Sequence, residues 1–205
     1  MDAPRRVDHP VLTIAGALMA GGGGTRLGGV PKGLLRREGR TLAERTLEAL
    51  RAVTSEQFVV ANSRDYDTLG LPVHADLRPG CGPLGGLETA LARARADHVL
   101  VVACDMPALE PGVLHLLAGA DPSADVVLPV VGGRPEPLCA RYSQPCLVAV
   151  CAALDAGERR MIAFHGAVRV LHLDEAILRT VDPLLSTFEN ANTPEDLARL
   201  GVTLP

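Results

Sequence analysis

Short apolar runs alternate with segments of helical periodicity along most of the 205-residue chain. The run at 98–103 is continuous and almost wholly apolar, as in a strand that is buried on both faces. The segment that starts near Thr41 instead repeats apolar residues at helical spacing. This alternation favours an α/β layered fold with a mostly parallel sheet.

The same patterns place the individual elements. We expect strands at 11–19, 58–61, 72–75, 98–103, 126–131, 138–142 and 168–173. We expect helices from about 41 onward and at 83–96, 113–117, 146–154, 161–165 and 194–200. Thr41 and Glu44 have the spacing of a capping box at the start of the first helix. Pro129 predicts that its strand lies at a sheet edge or ends early, because proline lacks the N–H that a ladder needs.

The length predicts one domain over 11–205, preceded by a loose leader over 1–10. A chain of this size buries enough surface to fold without disulfides or a structural metal. The apolar stretch at 11–20 is too short to span a bilayer, and glycines and charges follow it. We therefore expect it to be the first buried strand and not a signal peptide.

Composition limits the partners. The formal net charge of -4 argues against a general polyanion binder. Three Phe, two Tyr and no Trp are too few aromatic residues for a surface that stacks single-stranded nucleic acid. The five Cys show no C-x-x-C spacing, and their odd number fits reduced thiols in a cytosol. We expect a cytoplasmic protein that binds neither nucleic acid nor a membrane.

The strongest local signal is the loop at 20–32, which contains six glycines and follows the first predicted strand. Glycine lets consecutive backbone N–H groups converge on an anion. Arg26 and Lys32, the only lysine of the chain, add positive charge that suits a phosphate. The loop is not a Walker motif, because Pro31 precedes Lys32 and Gly33 follows it. A phosphate cradle is the favoured interpretation, and a flexible glycine-rich turn is the alternative.

A second glycine-rich segment, at 80–85, matches the pattern G-x-G-x-x-G. It is not preceded by a buried strand, so it lacks the context of a dinucleotide-binding fingerprint. We expect a second ligand-contacting loop that opens a helix, since a helix N-terminus offers free N–H groups. The alternative is an ordinary turn before a helix.

Asp105 directly follows the predicted strand at 98–103. Ligands of open α/β sheets bind beyond the carboxyl ends of the strands. Mg²⁺ binds there through one or two carboxylates together with phosphate oxygens. Asp105 is therefore a candidate metal ligand, and an N-cap for the next helix is the alternative. Asp76, at the end of the short third strand, is a weaker candidate of the same kind.

Several of these segments together resemble the motifs of molybdenum cofactor guanylyltransferases, which are MobA-like NTP transferases. The resemblance runs in order from about 18 to 200 and rests on residues 18–22, 26–35, 82–87, 104–107, 156–160 and 188–197. The first motif is shared by many nucleotidyltransferases, whereas the whole series is specific.

The resemblance implies a three-layer Rossmann-like nucleotidyltransferase fold with a mixed, mostly parallel central sheet. It implies transfer of GMP from GTP to the terminal phosphate of the molybdopterin cofactor, with Mg²⁺ as the metal and pyrophosphate as the leaving group. The partners that it implies are GTP, the molybdopterin cofactor and maturation proteins of molybdoenzymes.

The resemblance also implies roles for individual residues. The nucleotide-binding residues would be Met19, Ala20, Gly21, Gly22, Lys32, Asp76, Gly82, Pro83, Leu84 and Asp105. Arg26, Lys32 and Asp105 would be catalytic, and Asp105 would also hold the metal. Arg159, Arg160, Asn190 and Asn192 would bind the acceptor on the pterin side.

The chain departs from the family pattern at the end of the second strand. The family has an asparagine there, whereas Ala61 occupies the aligned position and Asn62 follows it. A contact between Asn62 and the nucleotide is therefore left open.

Two alternatives to a guanylyltransferase also stay open. One is a related small NTP transferase, such as a cytidylyltransferase for the same cofactor. The other is a non-catalytic GTP-binding module that delivers the cofactor.

Overall fold

The computed structural model describes residues 12–21 and 29–205. The leader predicted for 1–10 lies outside these residues, as does Val11. The helices are α1 Leu42–Arg51, α2 Gly82–Arg93, α3 Pro111–Gly119, α4 Cys146–Asp155, α5 Glu175–Leu178 and α6 Pro194–Arg199. The strands are β1 Ile14–Met19, β2 Arg36–Arg37, β3 Arg40–Thr41, β4 Glu56–Val60, β5 Val73–His74, β6 His98–Ala103, β7 Val126–Val131, β8 Arg134–Pro135, β9 Cys139–Ser143, β10 Val170–Leu173 and β11 Val202–Thr203.

The central sheet has the strand order β10-β7-β9-β6-β1-β4-β5, and β8 pairs with β7 beside this path. Strand β1 pairs in parallel with β4 on one side and with β6 on the other. The pairs β4–β5 and β10–β7 are also parallel, whereas β9 runs antiparallel to both β6 and β7. The prediction of a mixed, mostly parallel sheet is confirmed.

Helices cover both faces of this sheet, as in a three-layer α/β fold. On β1, Ala15, Ala17 and Met19 face a core that is completed by apolar residues of α2 and α4. Ile14 and Leu18 face the opposite side, where α1 and α3 supply the core. The alternation follows from the two-residue period of a strand, and both faces of β1 are apolar because both are covered. Within the described residues, no helix combines the length and apolarity needed to cross a membrane.

The capping box predicted at the start of α1 is confirmed. The Thr41 hydroxyl accepts a hydrogen bond from the backbone N–H of Glu44 at 3.1 Å. The Glu44 carboxylate accepts one from the backbone N–H of Thr41 at 2.8 Å. Two N–H groups that would lack partners at the helix start are thereby satisfied.

Two expectations for individual elements were wrong. Strand β7 neither lies at an edge nor ends at Pro129, because it continues to Val131 between β10 and β9. The Pro129 carbonyl accepts a hydrogen bond from the backbone N–H of Glu136, so it points to the side of β7 on which β8 and β9 lie. On that side, Pro129 falls between Val127, which pairs with β9, and Val130, which pairs with β8. The backbone N and O of one strand residue point to the same side. The N–H that proline lacks would therefore have pointed between the two antiparallel ladders, and neither ladder loses a hydrogen bond. The helix expected at 161–165 is a series of turns that leads into a short 3-10 helix, His165–Ala167.

A small antiparallel sheet, in the order β11-β2-β3, was not expected. It joins the end of the chain to the segment that follows Lys32, with Val202 opposite Arg37. Beneath it, Ala191, Leu197 and Val202 share a buried cluster with Leu35 and other residues. The C-terminal segment is therefore packed against the same part of the chain that carries Lys32.

The short 3-10 helix Lys32–Leu34 lies directly against Tyr66 and Cys104. A Cβ atom on Gly33 would lie 2.8 Å from Cε1 of Tyr66 and 3.3 Å from Cβ of Cys104. Cβ contacts as short as the first cannot form without movement of the ring. Glycine at position 33 therefore allows the close approach that brings Lys32 next to the end of β6.

Gly33→Ala should lower the free energy of unfolding by about 1–3 kcal/mol, because the added methyl group overpacks the contact with Tyr66. Urea unfolding followed by circular dichroism measures the change. Gly166→Ala is the matched control, since a Cβ atom there would meet nothing within 4 Å. Equal stability of the two variants would contradict this interpretation of Gly33.

Candidate functional site

A cavity of about 370 Å³ opens at the carboxyl edge of the parallel strands. Its walls come from the ends of β1, β4 and β6, from the chain after β5, from the start of α2 and from the 3-10 helix at Lys32. The lining residues are Met19, Ala20, Gly21, Lys32, Val60, Asn62, Asp76, Gly80, Gly82, Pro83, Gly86, Ala103, Cys104, Asp105 and Leu138. Segments that are distant in sequence thus meet at the edge where α/β sheets bind ligands.

Hydrogen bonds just beyond the strands align these segments. The N–H of Ala20 donates to the carbonyl of Val60 at 2.9 Å, and the N–H of Cys104 donates to the carbonyl of Met19 at 3.0 Å. The N–H of Ala61 donates to the carbonyl of His74 at 3.0 Å. The parallel ladders therefore continue for one residue past β1, β4 and β6. The residues that follow each strand are consequently held side by side.

At one end of the cavity, Lys32 and Asp105 form a polar cluster with Asn192, which does not itself line the cavity. The Lys32 ammonium donates to Oδ2 of Asp105 at 2.8 Å and to Oδ1 of Asn192 at 2.5 Å. The side chains of Lys32 and Asp105 are 27% and 21% exposed, so the ion pair is only partly screened by water. The lysine predicted in the glycine-rich loop and the aspartate predicted after β6 are thus brought into direct contact.

Asn62 and Asp76 form a second polar pair in the cavity wall. Nδ2 of Asn62 donates to Oδ2 of Asp76 at 2.8 Å, and the backbone N–H of Asp76 donates to Oδ1 of Asn62 at 2.9 Å. The family pattern leaves open whether Asn62 contacts the nucleotide. Its place just beyond a buried strand is the feature of the sequence that indicates a cavity residue, as it does for Asp105.

The glycines of the second predicted loop serve close packing and turn geometry. Gly80 and Gly82 have φ values of 78° and 63°, a region that side chains disfavour. A Cβ atom on Gly86 would lie 2.4 Å from Cε of Met19, so a larger residue there would require the end of the Met19 side chain to move. The helix begins at Gly82, and both Gly82 and Pro83 line the cavity. The helix expected after this loop is confirmed, and its contact with a ligand stays a prediction.

Cys104 lies in the cavity wall but is not arranged as a nucleophile. Burial raises the pKa of its thiol to about 12, so the sulfur stays protonated at neutral pH. Burial also raises the pKa of the neighbouring Tyr66 hydroxyl. The chemistry that this site favours is therefore the binding and positioning of an anionic ligand.

The residues fit a divalent metal only if the ligand shares in holding it. Among residues 12–21 and 29–205 there is no group of three or more His, Cys, Asp or Glu placed around one point. Asp105 supplies one carboxylate at the cavity, and Mg²⁺ commonly takes one or two carboxylates plus phosphate oxygens. The donor set thus suits a metal that arrives with a phosphorylated ligand.

The other predicted site residues lie in different places. Gly22 and Arg26 fall outside the described residues. Leu84 is fully buried beneath the start of α2 and contributes to the core below the cavity. Within the part of the chain that the structure describes, Arg159, Arg160, Asn190 and Asn192 are not among the residues that line the cavity.

Arg159 and Arg160 are exposed and follow the end of α4. That end is tied to the cavity wall through Arg78, which pairs with Glu88 at 2.9 Å and also with Asp155. Arg78 belongs to the chain between Asp76 and Gly80, and the two arginines follow α4, which shares a buried core with α2. Their predicted role toward an acceptor stays a prediction.

Comparison with known proteins identifies the family. The model of the MobA-like NTP transferase domain matches residues 16–170. The molybdenum cofactor guanylyltransferase of Desulfosudis oleivorans is 34% identical over 188 residues, which cover 91% of this chain and 93% of that protein. The probable molybdenum cofactor guanylyltransferase of Pelotomaculum thermopropionicum is 34% identical over 94% of each chain.

Solved structures agree with these relatives. The molybdopterin-guanine dinucleotide biosynthesis protein A of Archaeoglobus fulgidus has a TM-score of 0.78 and 28% identity, over 91% of this chain and 96% of that one. The 2-C-methyl-D-erythritol 4-phosphate cytidylyltransferase of Thermus thermophilus has a TM-score of 0.67 at 20% identity, a likeness of fold alone. It covers 90% of this chain and 96% of that one. On the family match, the identity to these relatives and the shared fold, this chain belongs to the MobA-like NTP transferases.

Proposed function

We propose that this protein transfers GMP from GTP to the terminal phosphate of the molybdopterin cofactor, forming the guanine dinucleotide cofactor and releasing pyrophosphate. The observation that carries the proposal is the pairing of Lys32 with Asp105 at the cavity edge. A cation and a carboxylate at that place suit a nucleotide triphosphate bound with a metal. The names of the relatives at 34% identity support guanine as the base and molybdopterin as the acceptor.

The nucleotide would occupy the cavity between β1, β6 and α2. Backbone groups of Met19, Ala20 and Gly21 form the wall at the end of β1, where the chain can approach a ligand closely. Gly82 and Pro83 open α2 on the opposite wall, and Asp76 offers a hydrogen-bond acceptor between them. Lys32 supplies the positive charge for the phosphates, and Arg26 is proposed to add to it.

The reaction requires two anions to approach each other. A terminal phosphate oxygen of the acceptor attacks the α-phosphorus of GTP, and the bond from that phosphorus to the bridging oxygen of pyrophosphate breaks. No covalent bond to the protein is needed, so catalysis depends on positioning and on charge neutralisation. We propose that Asp105 would hold Mg²⁺ beside the phosphates, and that the ion would supply neutralisation of their charge.

The acceptor is proposed to bind beside the phosphate end of the cavity. Arg159 and Arg160 can neutralise its phosphate, and Asn190 can offer hydrogen bonds to the polar pterin ring. Maturation proteins of molybdoenzymes are proposed to receive the product. A cytoplasmic location stays a prediction, and the five free cysteines are in keeping with it.

The function is tested by incubating the protein with Mg²⁺, molybdopterin cofactor and each nucleoside triphosphate in turn. We expect the guanine dinucleotide and pyrophosphate from GTP, identified by mass spectrometry, and little product from CTP or ATP. Product from CTP but not from GTP would instead establish the cytidylyltransferase alternative. Tight GTP binding without any product would favour the delivery module.

Asp105→Ala should lower kcat by about 100-fold or more, because charge stabilisation in the transition state is lost. The loss of GTP binding should be smaller, since Lys32 and the backbone groups remain. Steady-state kinetics and calorimetric titration with GTP measure the two effects. Asp67→Ala is a matched control on an exposed turn, where Asp67 pairs only with Arg64 in the described structure. Wild-type turnover in Asp105→Ala would refute the metal role.

A further inference from the structure

Asn192 contacts Lys32 and is not among the residues that line the cavity. Its side-chain oxygen accepts the hydrogen bond from the Lys32 ammonium at 2.5 Å, across 160 positions of sequence. The same ammonium donates to Asp105 at 2.8 Å. The family resemblance assigns Asn192 to the acceptor, whereas this geometry joins it to the nucleotide side.

The backbone around Asn192 is held in place by independent contacts. The N–H of Ala191 donates to the carbonyl of Asp105 at 3.0 Å, and Ala191 is fully buried. The N–H groups of Asn192 and Thr193 both donate to the Asp196 carboxylate, at 3.2 and 3.0 Å. The Thr193 hydroxyl accepts in return from the N–H of Asp196, which completes a capping box. The backbone at Asn192 is therefore held beside Asp105 by contacts within the protein itself.

We propose that Asn192 is a positioning residue for Lys32, through which the C-terminal segment orients the lysine toward the phosphates of the nucleotide. An ammonium has three donors. Asp105 and Asn192 engage two of them, which leaves the third for the cavity that Lys32 lines. A flexible side chain with four rotatable bonds is thereby ordered in advance, and less entropy is lost when it binds a phosphate. The inference rests on the proposed nucleotide site.

The chemistry of an amide suits this task better than that of a carboxylate. Asn192 accepts the hydrogen bond without adding a negative charge beside Asp105. A second carboxylate would neutralise Lys32 further and would repel the triphosphate. The amide therefore orients the cation and leaves its charge available.

Lysine-specific isotope labelling tests the contact directly, because Lys32 is the only lysine of the chain and gives a single ε-methylene signal. Asn192→Ala should shift this signal toward the value of a free lysine side chain in the ligand-free protein. Glu195→Ala, an exposed change in the same segment, should leave it in place. Asn192→Ser, whose short hydroxyl cannot reach Lys32, provides a second variant if the alanine variant does not fold. A signal unchanged in the folded Asn192 variant would overturn the proposal.

A double-mutant cycle on GTP binding tests the consequence. Asn192→Ala should weaken GTP binding about tenfold, as expected for a hydrogen bond to a charged group. In a Lys32→Ala background the same change should have almost no further effect, because Asn192 acts through Lys32. Independent effects of the two changes would overturn the proposal, and so would weakened binding of the acceptor with unchanged GTP binding. Neither readout requires the transfer reaction, so a failure of the proposed function is distinguishable from a failure of this inference.

Discussion

The parallel pairing of β1 with β4 on one side and β6 on the other determines where the site residues lie. Because the three strands run in the same direction, their following residues meet at one edge. The hydrogen bonds from Ala20 to Val60 and from Cys104 to Met19 extend this alignment into the cavity wall. Glycine at position 33 then lets the Lys32 turn pack closely against Tyr66 and Cys104 beside the cavity.

The proposed function requires a chain with a net charge of -4 to hold a triphosphate, which is possible where the binding charge is local. The only lysine lies at the cavity, paired with Asp105 and Asn192, and Gly21 and the start of α2 line the same cavity. Pairing with Asp105 orients the Lys32 ammonium but also lowers the positive electrostatic potential that it presents to a ligand. The arrangement is therefore best suited to a ligand that brings a metal, since the metal and the lysine can then share the phosphates and the carboxylate.

Much of this could be predicted from local sequence patterns. The alternation of apolar runs with helical segments predicted the α/β layers, and the glycine-rich loop and the end of the strand at 98–103 singled out Lys32 and Asp105 as candidate ligand contacts. The rest depends on contacts between distant segments. The small sheet of β2, β3 and β11 has only two residues in each strand, too few for a periodic signal. The contact of Asn192 with Lys32 joins residues that are 160 positions apart in the sequence. A central strand accepts Pro129 because the residue lies between the parts of β7 that pair with β8 and with β9.

The central claim is that the nucleotide binds in the cavity with its phosphates at Lys32 and Asp105. A crystal structure of the protein with GTP and Mg²⁺ tests it most directly. The account predicts electron density for the nucleotide between β1 and α2, with Lys32 within hydrogen-bond distance of a phosphate oxygen and still bonded to Asn192. Nucleotide bound elsewhere, or phosphates that make no contact with Lys32 and Asp105, would contradict it.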